Sequence, residues 1–185
     1  PSDFSDRKPD LPDIILPNFN DDDSEYSNSV NIDGLIKGYR VQVIISENQE
    51  DLIQVKDNLE KIINISEETE NFVRIDMESS KHTDFTINSF LEQKSKGVNI
   101  GTVFQAYLHR TLDDIKKLNY KDINYRLCKG IYKESSSIAI NNRSDINDNY
   151  IQILKQGFKL GHYIGIATHD IKLLERIYDL IDQMS

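Results

Sequence analysis

The sequence predicts an α/β fold with parallel strands, and three observations predict it. From Gly38 onward, short apolar or β-branched runs alternate with stretches of helical periodicity. Nearly every strand run ends in polar or charged side chains, as the strands of a β/α barrel do. No Gly-x-Gly-x-x-Gly follows any strand, which weakens a dinucleotide-binding doubly wound sheet. Strict alternation implies parallel strands joined by right-handed crossovers. The chain holds about five consecutive β-α units, short of the eight that close a barrel. The expected architecture is therefore a partial (β/α)8 TIM-type barrel over residues 39–185.

Each element has its own signal. Val41–Ile45 is a β-branched run and reads as a strand. Between Glu50 and Ile63, Leu52, Val55, Leu59 and Ile62 recur at helical spacing. Phe72–Met77 is the next strand. Ile87, Phe90 and Leu91 lie on one face of a helix over 83–96. Ile100–Tyr107 is a strand again. Thr111-Leu112-Asp113-Asp114 resembles a capping box and opens a short helix through Leu118. Asn124–Gly130 is the fourth strand. Tyr150, Ile153, Leu154 and Phe158 stripe a helix that Gly161 closes. Tyr163–Thr168 is the fifth strand. Asp170 caps a last helix, whose buried side is expected at Ile171, Leu174, Ile177, Tyr178 and Ile181.

Residues 1–38 read differently. All four prolines lie there, at positions 1, 9, 12 and 17, and Asn20-Asp21-Asp22-Asp23-Ser24-Glu25 follows them. Such composition buries little apolar surface, so this segment is expected to be a flexible acidic leader. The net charge of −9 argues against nucleic acid, because no basic stripe exists to displace counterions from phosphates. Cys128 is the single cysteine, which rules out an intrachain disulfide and a cysteine zinc cluster. The histidines lack helical metal spacing, and no metal is assigned. No apolar run is long enough to span a bilayer.

The chemistry concentrates at strand ends. Arg126 and Lys129 sit three residues apart on an apolar strand that runs into Gly130. Unpaired charges inside a fold are costly, so something anionic or electron-rich is expected there. Arg126 offers a planar fork of five donors, and Gly130 lets the chain approach a ligand closely. Asp76 shares a strand face with Arg74 and Glu78. It is either an active-site acid or one half of a structural ion pair with Arg74 or a neighbouring strand. Gln105, in an apolar strand, needs partners for its amide, and a ligand or a neighbouring backbone would serve. Thr168 and His169 supply a hydroxyl and an imidazole at the fifth strand end. Cys128 is expected to be an inert buried thiol.

Four motifs, taken together, resemble the FAD-dependent proline dehydrogenase family. Val73-Arg74-Ile75-Asp76-Met77-Glu78-Ser79-Ser80 resembles one strand signature of that family. Phe104-Gln105-Ala106-Tyr107-Leu108-His109-Arg110-Thr111 resembles the next. Arg126-Leu127-Cys128-Lys129-Gly130-Ile131-Tyr132 is similar to the family's Arg-Leu-Val-Lys-Gly-Ala-Tyr. Ile166-Ala167-Thr168-His169-Asp170 is similar to its Phe-Ala-Thr-His-Asp/Asn. They occur in family order across roughly residues 40–182.

The resemblance implies a distorted barrel with FAD across the strand ends. It implies oxidation of L-proline to Δ1-pyrroline-5-carboxylate, with hydride transfer to flavin N5 and electrons passing to a quinone. On that pattern Asp76 and Arg126 are catalytic, Arg126 reaching the flavin near N5. Met77, Gln105, Lys129, Gly130, Ile131, Thr168 and His169 hold the cofactor. Gln42 stands where the family has a strand lysine, at the substrate. A quinone acceptor implies a peripheral membrane contact, in the bacterial cytoplasm or the mitochondrion. The family's Tyr-x-x-Arg-Arg helix, which holds the substrate carboxylate, does not occur in the chain. Two readings follow: a fragment of an active enzyme that alone turns over no proline, or a degenerate barrel relative acting as an interaction module.

Overall fold

The computed structural model describes residues 40–43, 52–118, 120 and 122–184. The expected leader at 1–38 lies outside the described residues, as do Ile44 and Ile45. The elements are β1 (Arg40–Val43), α1 (Leu52–Glu68), β2 (Phe72–Ile75), a 3₁₀ turn (Ser80–His82) and α2 (Thr83–Ser95). They continue with β3 (Ile100–Gln105), α3 (Thr111–Lys117), β4 (Asn124–Cys128), α4 (Arg143–Lys159), β5 (Tyr163–Ala167) and α5 (Ile171–Met184).

The sheet order is β1-β2-β3-β4-β5, and every pair is parallel. A doubly wound sheet reverses its strand order at a switch point. This sheet winds in one direction, which is the arc of a barrel. Strand and helix alternate throughout, as the periodicities predict.

Side-chain alternation divides the sheet into two faces. On β4, Tyr125 and Leu127 are buried in the core with Tyr150, Ile153 and Leu154 of α4. Arg126 and Cys128 are half-buried on the opposite face. β3 is buried at all six positions, as befits a central strand covered on both sides. Each fully buried large apolar side chain such as Ile153 contributes about 1.5–3 kcal/mol. The Tyr150 hydroxyl ties two strand ends together: it donates to the Leu127 carbonyl at 2.6 Å and accepts the Ala167 amide at 3.3 Å.

Helix ends follow their sequence signals with one correction. Asn142 caps α4, its Oδ1 accepting the Ser144 and Asp145 amides at 2.8 and 3.4 Å. Gly161, at φ +74, ends that helix in a left-handed turn. Asp170 caps α5 through the Leu173 amide at 3.3 Å. Thr111 forms no capping box. The cap position belongs to Arg110, and the Thr111 hydroxyl instead donates to the Gln105 carbonyl at 2.7 Å. Asp114, the residue expected to complete the box, accepts Arg110 at 2.7 Å.

The face of α5 is also corrected. Leu173, Ile177 and Leu180 are buried, whereas Ile171, Tyr178 and Ile181 are exposed. The helix carries two overlapping apolar stripes at three- and four-residue spacing. Periodicity registers both and does not say which one meets the sheet.

Candidate functional site

The C-terminal ends of β2 through β5 enclose a cavity of about 480 Å³. It collects Asp76, Met77, Gln105, Arg126, Lys129, Gly130, Ile131, Thr168 and His169. Parallel strands of similar length bring these ends to one rim, although the residues span almost a hundred positions. Gln42 lies on β1 beside Arg74 of β2, and its side chain falls outside the described residues. Glu78, Cys128, Tyr132 and Ala167 also line the cavity.

The charged groups meet across the strands. Arg126 Nη2 donates to Asp76 Oδ1 at 3.2 Å, and the Met77 amide donates to the same oxygen at 3.1 Å. Asp76 therefore pairs across β3 with β4, two strands away, without leaving the cavity wall. Arg74, its strand-mate, is buried and donates to the Thr102 carbonyl at 2.9 Å and Asn124 Oδ1 at 3.0 Å. Lys129 Nζ donates to Asp170 Oδ2 at 2.5 Å. Arg143 and Asn147 reach that same oxygen, each at 3.3 Å. The hydrogen bond from Lys129, chiefly, holds the Asp170 carboxyl below the ordinary carboxylate range. The two strand cations are thus balanced by protein carboxylates.

Two buried polar atoms in the wall are not balanced. Gln105 is 2% exposed. Its Nε2 donates to the Met77 carbonyl at 3.3 Å, while Oε1 has no hydrogen-bond partner among the described residues. Arg126 Nε is likewise buried without one. Native folds seldom leave such atoms orphaned, and a ligand is one way to satisfy them. An unpartnered donor and an unpartnered acceptor on residues that line one cavity suit a flat heterocycle that carries both.

Gly130 shapes the floor. It sits at φ +104, and a Cβ there would lie 2.1 Å from Tyr107 Cδ1. Only glycine meets both conditions. Tyr107 belongs to the extension of β3, where its amide donates to the Lys129 carbonyl at 2.8 Å. Burial, with Glu134 nearby, pushes its phenol up to about 12, so it stays neutral. Above the floor, Ile131 is 89% exposed, and the Tyr132 hydroxyl contacts Glu78 across the mouth.

Cys128 corrects an expectation. Its side chain is half-buried, packing against the edge of the core while the residue also lines the cavity. Alternation from the buried Leu127 accounts for its partial exposure. Burial raises its pKa, which disfavours the reactive thiolate.

A second cavity of about 580 Å³ adjoins the first, and His169 lines both. Arg143, Ser144 and Asn147 come from the start of α4, and Asp170, Ile171 and Lys172 from the start of α5. Two helix N-termini with an arginine and a lysine suit an anion such as a phosphate. Sequence reasoning missed Arg143, Asn147 and Lys172. The Asn142 cap was the available signal, but nothing local says that two helix starts converge. Among the described residues, no three His, Cys, Asp or Glu side chains are placed to hold a metal.

The family profile described as Proline dehydrogenase matches residues 21–185. The chain belongs to the proline dehydrogenase family. Membership implies a flavin cofactor in general terms. Proline dehydrogenase 2 of Bacillus subtilis (strain 168) is 39% identical over 99 residues, which cover 54% of this chain and 33% of that protein. Proline dehydrogenase of Deinococcus radiodurans is 34% identical over 103 residues, 55% of this chain and 33% of that protein. The chain thus spans about a third of the length of the curated relatives it matches. The crystal structure of proline utilization A from Bdellovibrio bacteriovorus, inactivated by N-propargylglycine, superposes with a TM-score of 0.60 at 23% identity. That match covers 65% of this chain and 15% of the other, and supports the partial-barrel fold.

Proposed function

We propose that this chain is the flavin-binding part of a proline dehydrogenase, which oxidises L-proline to Δ1-pyrroline-5-carboxylate with FAD as cofactor. One observation carries the reading: Gln105 Oε1 and Arg126 Nε are buried and unpartnered, and both residues line one cavity beside the Gly130 floor. An isoalloxazine edge offers a donor and several acceptors to that pair. A flavin held by these residues would supply the two-electron acceptor for a hydride from the ring carbon beside nitrogen that does not bear the carboxylate, with the nitrogen losing its proton to give the C=N bond.

The remaining roles belong to the chain. Gln105 and the Met77 backbone orient the ring. Asp76 anchors Arg126 so that its guanidinium stays directed at the ring near N5. Lys129, Gly130 and Ile131 border the cofactor. Thr168 and His169 lead from the first cavity to the second, where the paired helix starts with Arg143 and Lys172 take the phosphates. Gln42 stands at the substrate side, where a neutral amide gives no charge pairing to a carboxylate. Residues 39–185 are assigned to the barrel portion. Electrons pass on to a quinone, which places the protein at a membrane surface by peripheral contact. Among the described residues, no helix is long and apolar enough to cross one.

The test is purification of the full-length protein, followed by flavin release and proline-dependent dye reduction. The proposal expects bound FAD, turnover with L-proline, and roughly tenfold or greater loss of flavin affinity in Gln105→Leu, the scale of a hydrogen bond in a buried site. A protein that neither binds flavin nor oxidises proline supports the interaction-module reading instead.

A further inference from the structure

The cavity wall that follows β4 is held at a point outside the cavity. After Gly130 the chain passes through Ile131 and Tyr132, which line the cavity, to Glu134, which stands outside it. Glu134 is half-buried, and its Oε1 accepts the Ser80 amide at 2.9 Å. Ser80 opens the 3₁₀ turn that follows the β2 end. A helix start leaves its first amides without an acceptor of their own, and Ser79, at the cap position, provides no side-chain cap. A carboxylate 54 positions away in sequence supplies the acceptor instead. The Tyr132 hydroxyl makes a second contact between the same two segments, to Glu78. These segments form opposite walls of the cavity, with Asp76, Met77 and Glu78 on one and Lys129 to Tyr132 on the other. Arg126 and Asp76 join the walls from within. Glu134 and Ser80 join them from outside. Farther along, backbone bonds fix the chain again: the His109 amide donates to the Ile138 carbonyl at 3.1 Å, and the Ile140 amide to the Tyr107 carbonyl at 2.8 Å. Between these anchors, Ile131 and Lys133 are exposed.

We propose that Glu134 is a positioning residue for this site: its carboxylate clasps the strap of residues 131–133 to the β2 end and so keeps Ile131 and Tyr132 against the bound cofactor. The inference rests on the flavin reading of the cavity. Glu134 touches neither cofactor nor substrate and acts through the strap. A hydrogen bond to an ionised acceptor is among the stronger ones a protein makes, and this one is half-shielded from water. The Tyr132 contact is a weaker tether, because that side chain is exposed and water competes for both partners. Releasing Glu134 therefore lets the strap lift, and the cofactor loses one of its two walls.

The experiment compares the full-length protein with Glu134→Gln, Glu134→Ala and Ser80→Pro, each checked for folding by circular dichroism. Glutamine keeps an acceptor oxygen. Proline removes the amide donor at a first-turn position that tolerates it, and Ser79, at φ −64 and ψ 161, already has the extended backbone of a residue before proline. Trypsin cleavage after Lys133 in the flavin-free protein, identified by mass spectrometry, reads how often the strap opens. Ser80→Pro, which leaves the sequence around the cleaved bond intact, should speed cleavage about tenfold over wild type. Glu134→Ala should be cleaved about fivefold faster than Glu134→Gln, a comparison between two neutral residues at the position after the lysine. The rate of FAD loss from the loaded protein should rise about tenfold in Ser80→Pro and Glu134→Ala and be largely restored in Glu134→Gln. Cleavage at the wild-type rate in Ser80→Pro, or FAD loss at the wild-type rate while cleavage rises, overturns the inference. A protein that takes up no FAD overturns the flavin reading and with it the cofactor role, while the cleavage rates judge the clasp separately.

Discussion

Replacing Gly130 by alanine probes the floor of the cavity at the point where geometry leaves least room. The residue sits at φ +104, a region that costs an L-amino acid about 1–3 kcal/mol. The new methyl would lie 2.1 Å from Tyr107 Cδ1 and 2.4 Å from Cε1. Tyr107 has little freedom to move aside. It is buried, its amide is held by the Lys129 carbonyl, and its own carbonyl accepts the Ile140 amide, both at 2.8 Å. Forcing a methyl into such packing costs about 1–3 kcal/mol more. The sum is about 2–6 kcal/mol, or a fall in melting temperature of roughly 5–20 °C for a chain of this size. Urea unfolding of wild type, Gly130→Ala, Tyr107→Ala and the double variant separates the two terms. The steric part vanishes once the ring is gone, so the double variant should lose about 1–3 kcal/mol less than the sum of the singles. The backbone part should remain. Additivity within about 0.5 kcal/mol, or a Gly130→Ala midpoint equal to wild type, would refute the packing argument.

Other outcomes follow from the same structure. His162 is buried in edge-to-face contact with Tyr125, their ring centroids 5.8 Å apart, and burial lowers its pKa from the ordinary 6.5. The unfolded chain therefore takes up that proton at higher pH than the folded one. Its contribution is complete above the ordinary value and is lost as pH falls below it. His162→Phe should flatten the dependence of the urea midpoint on pH in that window, and an unchanged slope would remove His162 from the account. Asn142→Ala takes away both capping bonds of α4 and should cost about 1 kcal/mol in urea unfolding; a loss near zero would mean the cap is not in place. Ile153→Ala, at a site with no exposure, should cost about 2–5 kcal/mol by the same measurement, and a smaller loss would mean a looser core.

Much of this architecture is legible in the sequence because its signals are local. β-branched runs and helical stripes set the five β-α units, and Gly161 and Asp170 mark helix ends by mechanisms that need only neighbouring residues. The cavity residues Asp76, Gln105, Arg126 and Lys129 were findable because each places polarity where a strand should be apolar. What escaped depends on partners distant in sequence. The choice between the two stripes of α5 is made by the sheet. The Thr111 hydroxyl finds the Gln105 carbonyl across a turn instead of its own helix end. Arg126 and Lys129 obtain their anions from Asp76 and Asp170, fifty and forty-one positions away. The convergence of the α4 and α5 starts, and the bond between Glu134 and the Ser80 amide, exist only once the barrel arc has formed.

The most direct measurement is a crystal structure of the full-length protein loaded with FAD, read at Gln105 and Arg126. Gln105 Oε1 and Arg126 Nε should each lie within hydrogen-bond distance of a ring heteroatom, with the Asp76–Arg126 pair kept. A flavin bound elsewhere, or those two atoms satisfied by protein groups alone, would contradict the account.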